Sequence, residues 1–339
     1  MAHAAVVAAV AGHLPPHVVT NHELAQRFDT TEEWIRTRTG IVQRHHVRAG
    51  TATSDLAAEA GRRALASAGE DHADVVIVAT TTPDRPCPAT APTVASKLGL
   101  TGVAAYDIAA VCTGFLYALQ AGASAVAAGA ARRALVIGAE TFSTLLDPSD
   151  RTTGVIFGDG AGAVLLRAGA RGEAGAIEAV HLGSDGTLAD LITVRAGGSE
   201  QRAHPDDEAH ADPYFRMDGR PVFMAAVRRM TESAHTVLRR TGWAVDDLDH
   251  LVGHQANIRI LHAVAERLGL PPERALVNLD RVGNTAAASI PLALAHGRRE
   301  RRLGTGDRVL LTAFGGGATW GAAALTWPDL PDLQHPPAT

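Results

Sequence analysis

Cysteine is nearly absent from this chain: Cys87 and Cys112 are the two thiols among 339 residues. Two are too few for a disulfide framework at this length, so stapled secreted folds are excluded and a reducing compartment, the cytoplasm, is expected. Long apolar runs are missing as well. No stretch reaches the roughly 18 residues of a membrane span, and the N-terminus shows no basic segment ahead of an apolar one, so neither membrane insertion nor export is expected. A positive charge excess is also lacking. With 31 Lys and Arg against 36 Asp and Glu the formal net charge is −5, which argues against a nucleic-acid partner. Lys97 is the lone lysine, a mark of GC-rich coding rather than of function. Aromatic residues make up 4% of the chain, so its core has to be packed from Ala, Val, Leu and Ile. Small side chains let helices and strands approach closely, which suits a layered α/β core.

What is present is alternation. Residues 74–80 (DVVIVAT) form a β-branched run, the mark of a strand buried on both faces. Residues 54–68 ahead of it have helical spacing, with Ser54 placed to cap them. Further strands are expected at 103–110, 134–138, 162–167, 248–253 and 307–313. Helices are expected at 21–28, 31–37, 90–98, 113–129, 217–241, 256–268 and 285–300. The order points to α/β with parallel pairings. The polar stretch 196–213 reads as a surface loop joining two halves. A weak internal repeat accompanies this division. AAYDIAA runs into Cys112 and a small-residue helix, followed by the strand ALVIG. ALVNLDRVG runs into Asn284 and a small-residue helix, followed by VLLTA. Each half thus offers one polar residue at a strand-to-helix junction.

Those junctions hold the candidate chemistry. Cys112 has two readings, a buried core thiol or a nucleophile. Its place ahead of a helix favours the second, because N-terminal N–H groups stabilise a thiolate and lower the thiol pKa. His254 closes the strand HLVGH, where ligand sites of parallel sheets gather, yet it reads equally as a hydrogen-bonded core histidine. Asn284 either caps the helix after it or donates to a ligand, and one residue can do both. FGDGAG (157–162) reads as a turn; FGGG (314–317) lets backbone N–H groups approach a ligand, as an oxyanion hole requires. Neither run has phosphate-loop spacing. His45 with His46, and His204 with His210, lack second pairs at metal-binding spacing, so no metal is expected.

Taken together the motifs EEWIRTRTGI (32–41), DIAAVCTGFLYAL (107–119), DPSDRTTGVIFGDGAGAVLL (147–166), HQANIRI (254–260), LDRVGNTAAASIP (279–291) and AFGGGATWG (313–321) carry a resemblance over nearly the whole chain. It resembles the β-ketoacyl-acyl-carrier-protein synthase III enzymes of the thiolase superfamily. The resemblance implies a thiolase-like five-layered αβαβα fold of two pseudo-two-fold related halves, residues 1–172 and 173–339, and a homodimer. It implies a Cys112–His254–Asn284 triad and an oxyanion hole of the Cys112 and Gly316 N–H groups. It further implies a CoA and pantetheine site at Trp34, Arg38, Arg151 and Asn257, carrier-protein docking at Arg259, and an acyl pocket reached by Cys87 and Phe314.

The implied reaction is condensation of a short acyl-CoA with malonyl-acyl-carrier protein through an acyl-cysteine, with no cofactor. A thiolase would need a second catalytic cysteine in the C-terminal half, where there is none. Transfer of the acyl group to an alcohol or amine is the remaining alternative; it gives Asn284 no enolate to stabilise. Fatty-acid initiation and polyketide priming share these motifs. GC-rich coding and Cys87 favour likeness to a priming ketosynthase of a type II aromatic polyketide pathway. Cys87 in place of a bulkier residue also implies room for C3–C5 starters.

Overall fold

A computed structural model describes residues 3–331. The first half runs β1 (His3–His13), then a hairpin, β2 (His17–Thr20) and β3 (Gln43–His46), that encloses α1 (Asn21–Arg27) and α2 (Glu32–Thr39). It continues α3 (Thr53–Ser67), β4 (Val75–Ala79), α4 (Ala91–Lys97), β5 (Ala104–Ile108), α5 (Gly114–Ala127), β6 (Arg133–Glu140), α6 (Arg151–Gly154) and β7 (Gly160–Ala170). The second half runs β8 (Ile177–Ser184), β9 (Ile192–Thr193), α7 (Ser199–Ala203), β10 (Arg216–Met217), α8 (Gly219–Thr241) and β11 (His250–Gly253). It ends with α9 (Ile258–Leu268), α10 (Leu279–Val282), α11 (Ser289–Arg299), β12 (Arg308–Gly315) and β13 (Thr319–Thr326).

Two sheets organise these elements, in the orders β1-β7-β6-β4-β5 and β8-β13-β12-β11. Alternation along the central strands assigns each face. Val75, Ile77 and Ala79 of β4 join Phe115 and Leu119 of α5 and Ile290 and Leu294 of α11 in a shared core. Val309, Leu311 and Ala313 of β12 enter the same core from the other side. Val76 and Val78 turn outward to Leu56 and Ala60 of α3 and Val94 of α4. Leu310 turns outward to Val227 and Met230 of α8 and Val264 of α9. The layers are therefore α3 and α4, a sheet, α5 with α11, a second sheet, then α8 and α9: the five-layered αβαβα arrangement expected.

The repeat is real but its register differs from the sequence reading. An offset of 175 residues takes Val75 to His250, Arg133 to Arg308 and Val111 to Ala286. Cys112 therefore corresponds to Ala287, not to Asn284. ALVNLDRVG is not a strand; the fifth strand of the second half shrinks to a single Leu251–Ala275 bridge, and α10 replaces the rest.

Five strands of four or more residues escaped the sequence patterns. Alanine-rich β1 and β13 lack β-branched alternation, and their strand state comes from tertiary burial; β8 and the hairpin strands are only partly buried. The stretch 196–213 contains α7 and a short turn and lies inside the second half; the chain crosses between sheets at residues 171–176. Ser54 does not cap α3. Ala52 stands at that cap, its N–H donating to Asp55 at 2.9 Å, and the Ser54 hydroxyl accepts from Lys97 at 2.7 Å. Among the described residues no helix is long and apolar enough to cross a membrane.

Candidate active site

Cys112 sits in a 3-10 turn, Val111–Thr113, between β5 and α5. Val111 opens that turn at φ 47°, a left-handed conformation that a β-branched residue rarely adopts. The turn swings Cys112 into a cavity that His254 and Asn284 also line. Backbone closes over it from the second half. A Cβ on Gly315 would lie 2.8 Å from the Cys112 nitrogen and 2.9 Å from that of Thr113, so the first glycine of the run has to be glycine. Gly316 follows it, buried beside Val111 and Ile192.

The thiol is not activated in the way the helix N-terminus suggested. Burial, reinforced by the Glu140 carboxylate, pushes the Cys112 pKa well above the usual thiol value, and the residue's own backbone N–H offsets this only in part. The resting group is a thiol. Burial also holds His254 neutral, its pKa lowered to about 3.

His254 directly follows β11, its backbone N–H donating to Thr312 O at 2.8 Å. Its Nδ1 lies 2.7 Å from Ser289 Oγ, which directs Nε2 away from α11. Asn284 is clamped on both sides: its N–H donates to Ile156 O at 3.0 Å and its carbonyl accepts from Gly158 N at 2.9 Å. Its Oδ1 accepts the Ala286 N–H at 2.9 Å, so the side chain caps a second 3-10 turn, Ala286–Ala288, and keeps its NH2 for another partner. Gln255 fixes the approach to this segment, accepting from Asn278 N at 3.0 Å and donating to Leu276 O at 3.0 Å.

The other expected residues divide into a surface group and a buried one. Trp34 is exposed on α2, with the guanidinium carbons of Arg38 and Arg151 at 6.0 and 5.9 Å from its ring centre. Asn257 caps α9 through Arg259 N at 2.9 Å and donates to Arg38 O at 3.0 Å, tying α2 to α9. Exposed Arg259 lies 5.8 Å above the Phe223 ring. Phe314 lines the cavity. Cys87 does not join it within one chain: it stands on an exposed loop.

Several residues at the site carry no sequence signal. Phe142 stacks on Phe157 at 4.2 Å, and Phe215 meets both edgewise at 5.0 Å, forming an aromatic wall beside Cys112. These phenylalanines are far apart in sequence, and only the fold unites them. FGDGAG, read as a turn, instead leads into β7, and its Asp159 is buried against Ser143 and Val47. Glu140, which ends β6, is fully buried next to the Cys112 turn.

Two family profiles match the chain: 3-oxoacyl-[acyl-carrier-protein] synthase III over residues 106–186, and 3-oxoacyl-[acyl-carrier-protein] synthase III C terminal over 238–327. β-Ketoacyl-[acyl-carrier-protein] synthase III 5 of Streptomyces coelicolor is 58% identical over 333 residues, covering 98% of this chain and 100% of its own. The synthase III of Pseudomonas aeruginosa is 51% identical over 330 residues, 97% of this chain and 98% of its own. Among solved structures, 3-oxoacyl-(acyl carrier protein) synthase III of Pseudomonas aeruginosa PAO1 superimposes with a TM-score of 0.91 at 50% identity, covering 97% and 99% of the two chains. The priming β-ketosynthase of the R1128 polyketide pathway gives 0.90 at 34% identity, covering 96% and 97%.

Proposed function

From the premise that this chain belongs to the 3-oxoacyl-[acyl-carrier-protein] synthase III family, we propose which of its residues carry the reaction. It is an acyl-transferring condensing enzyme that joins an acyl-CoA starter to malonyl-acyl-carrier protein with loss of CO2. Cys112 Sγ attacks the acyl-CoA thioester and keeps the acyl group, while CoA departs as the free thiol with the proton that Cys112 gives up. The N–H groups of Cys112 and Gly316 receive the tetrahedral oxyanion. Malonyl-carrier protein then loses CO2, and the enolate oxygen accepts from His254 Nε2 and Asn284 Nδ2. The carbanion attacks the acyl-Cys112 carbonyl, the C–S bond breaks, the Cys112 thiolate takes up a proton from solvent, and the 3-ketoacyl-carrier product leaves. Every step falls to this chain's own groups, so no cofactor is called for.

The observation that carries this reading is the shared buried cavity of Cys112, His254 and Asn284. Two details support the roles. Nδ1 of neutral His254 lies 2.7 Å from Ser289 Oγ; with the hydroxyl donating, the imidazole proton would sit on Nε2, a donor rather than a base. The Ala286 N–H occupies Asn284 Oδ1, which orients its NH2 as the free end. Acyl transfer without condensation would leave both donors idle.

Trp34 with Arg38 and Arg151 would hold the CoA nucleotide, stacking on adenine and pairing with phosphates. Asn257 has a second amide hydrogen for pantetheine beyond its bond to Arg38 O. Arg259 would meet the acidic carrier protein. The enzyme would act as a cytoplasmic homodimer, initiating a fatty-acid or polyketide chain. The exposed Cys87 loop would reach the partner's acyl pocket, opposite Phe314. Edge strand β5, with Tyr106 40% exposed, offers a surface for that pairing. Cys112→Ala tests the assignment: acyl-enzyme formation should vanish while decarboxylation of malonyl-carrier protein persists in part. Equal loss of both would overturn the division of roles.

A further inference from the structure

Near Cys112, but not among the residues that line the cavity, lies a buried acid that the reaction above does not use. Glu140 is the last residue of β6 and has no exposed surface. Its two oxygens accept the Thr81 N–H at 3.0 and 3.1 Å, and Oε2 accepts the Thr82 hydroxyl at 2.8 Å. The Thr80 hydroxyl approaches at 3.4 Å, and from the second half the Ala287 N–H reaches Oε1 at 3.4 Å. The Thr82 hydroxyl is held in turn by the Thr53 hydroxyl at 3.1 Å and by the Thr141 backbone N–H, which donates to it at 2.9 Å. The repeat sharpens the oddity: the offset of 175 residues sets Glu140 opposite Gly315, the glycine packed on the Cys112 nitrogen.

We propose that Glu140 is a positioning residue for the reaction at Cys112. Its carboxylate fastens the segment after β4 to the second-half turn at Ala287, and its charge governs how readily the thiol gives up its proton. The proposal rests on reading Cys112 as the nucleophile. Geometry supplies the first part, because one carboxylate accepts from both halves at the seam where their turns meet. Electrostatics supplies the second. Burial raises the Glu140 pKa to about 7, with the Thr82 hydroxyl and the Thr81 and Ala287 N–H groups opposing, so the carboxyl changes charge near neutrality. The groups facing it from β4, from α3 through Thr53, and from the second turn are hydroxyls and N–H groups. The Glu140 charge acts on Cys112, adding to burial in raising the thiol's pKa.

A pH profile separates this role from a structural one. The reaction of iodoacetamide with the full-length protein is followed at the Cys112-containing peptide by mass spectrometry, which keeps Cys87 apart. In the wild type the alkylation rate should climb with pH, flatten into a shoulder near pH 7 as Glu140 ionises, and climb again. Glu140→Gln keeps the size but carries no titrating charge; it should abolish the shoulder and move the profile to lower pH. Glu140→Asp should restore the shoulder. A smooth wild-type profile, or a Glu140→Gln profile that overlays it, would overturn the proposal. The wild-type measurement decides even if the variant does not fold. Acyl labelling that persisted in Cys112→Ala would sink the functional reading instead, leaving the alkylation result intact.

Discussion

The two halves contain the same turn and use it differently. In each, a residue with positive φ, Val111 at 47° or Ala286 at 43°, opens a 3-10 turn that hands the chain to a buried helix. The first turn presents Cys112 to the cavity. The second is Ala286–Ala288 and presents nothing; a Cβ on Gly138 of β6 would sit 2.3 Å from the Ala287 carbonyl oxygen. The second turn is thus wedged against the first sheet, with no room for a functional side chain. Chemistry in that half moves to the flanks, to Asn284 just before the turn and to His254 just after β11. On the proposed assignment a symmetric frame carries an asymmetric site, one half for the covalent step and the other for the enolate.

The sharpest way to break this comparison is to move the nucleophile. Cys112→Ala combined with Ala287→Cys should form no acyl-enzyme at all, because position 287 faces Glu140 and Gly138. Intact-mass analysis with acyl-CoA checks this, and recovered labelling at residue 287 would show the turns to be interchangeable. Next in size is Asn284→Ala. Removing one preorganised donor typically costs about 3–4 kcal/mol of transition-state stabilisation. Condensation should therefore fall by two to three orders of magnitude, about 10²–10³-fold, while acylation by acyl-CoA continues.

The third prediction sets one half's buried acid against the other's buried base. Glu140, raised to about 7, gives stability that is complete below the ordinary carboxylate pKa and lost as pH rises through 7. His254, lowered to about 3, does the reverse: the unfolded chain takes up its proton as pH falls below the ordinary histidine value, so stability falls with it. In weakly acidic solution the two slopes oppose each other. Glu140→Gln removes one of them, so the variant should gain on the wild type between pH 5 and pH 8, by on the order of 3 kcal/mol. Urea unfolding at several pH values measures it, and a pH-independent difference would contradict the assignment.

The smallest effect concerns starter size. Cys87→Phe should shift preference from C3–C5 acyl-CoAs towards acetyl-CoA, by about 0.8 kcal/mol for each methylene excluded. Competition between mixed acyl-CoAs reads the ratio. Unchanged selectivity would place the limit in the Phe142–Phe157–Phe215 wall.

What the sequence made legible follows the same division. Cys112, His254 and Asn284 stand in dense local motifs, and residues 74–80 read as a strand because both faces of β4 are buried and branched. Alanine-rich β1 and β13 gave no such pattern, since alanine fits a strand or a helix and burial alone decided. The thiol's state was misjudged for a related reason. A helix N-terminus is visible in sequence, whereas desolvation and a carboxylate 28 residues further along the chain are not. The aromatic wall likewise joins residues that only the fold makes neighbours.

One experiment reaches the central claim, that acylation and enolate formation are served by separate groups around a single cavity. The wild-type protein is incubated with acyl-CoA and then with malonyl-acyl-carrier protein, and its peptides are weighed after each addition. An acyl mass on the Cys112 peptide that the second addition discharges into a 3-ketoacyl-carrier product is the predicted result. An acyl mass on the Cys87 peptide, or one on Cys112 that malonyl-carrier protein cannot discharge, would contradict it.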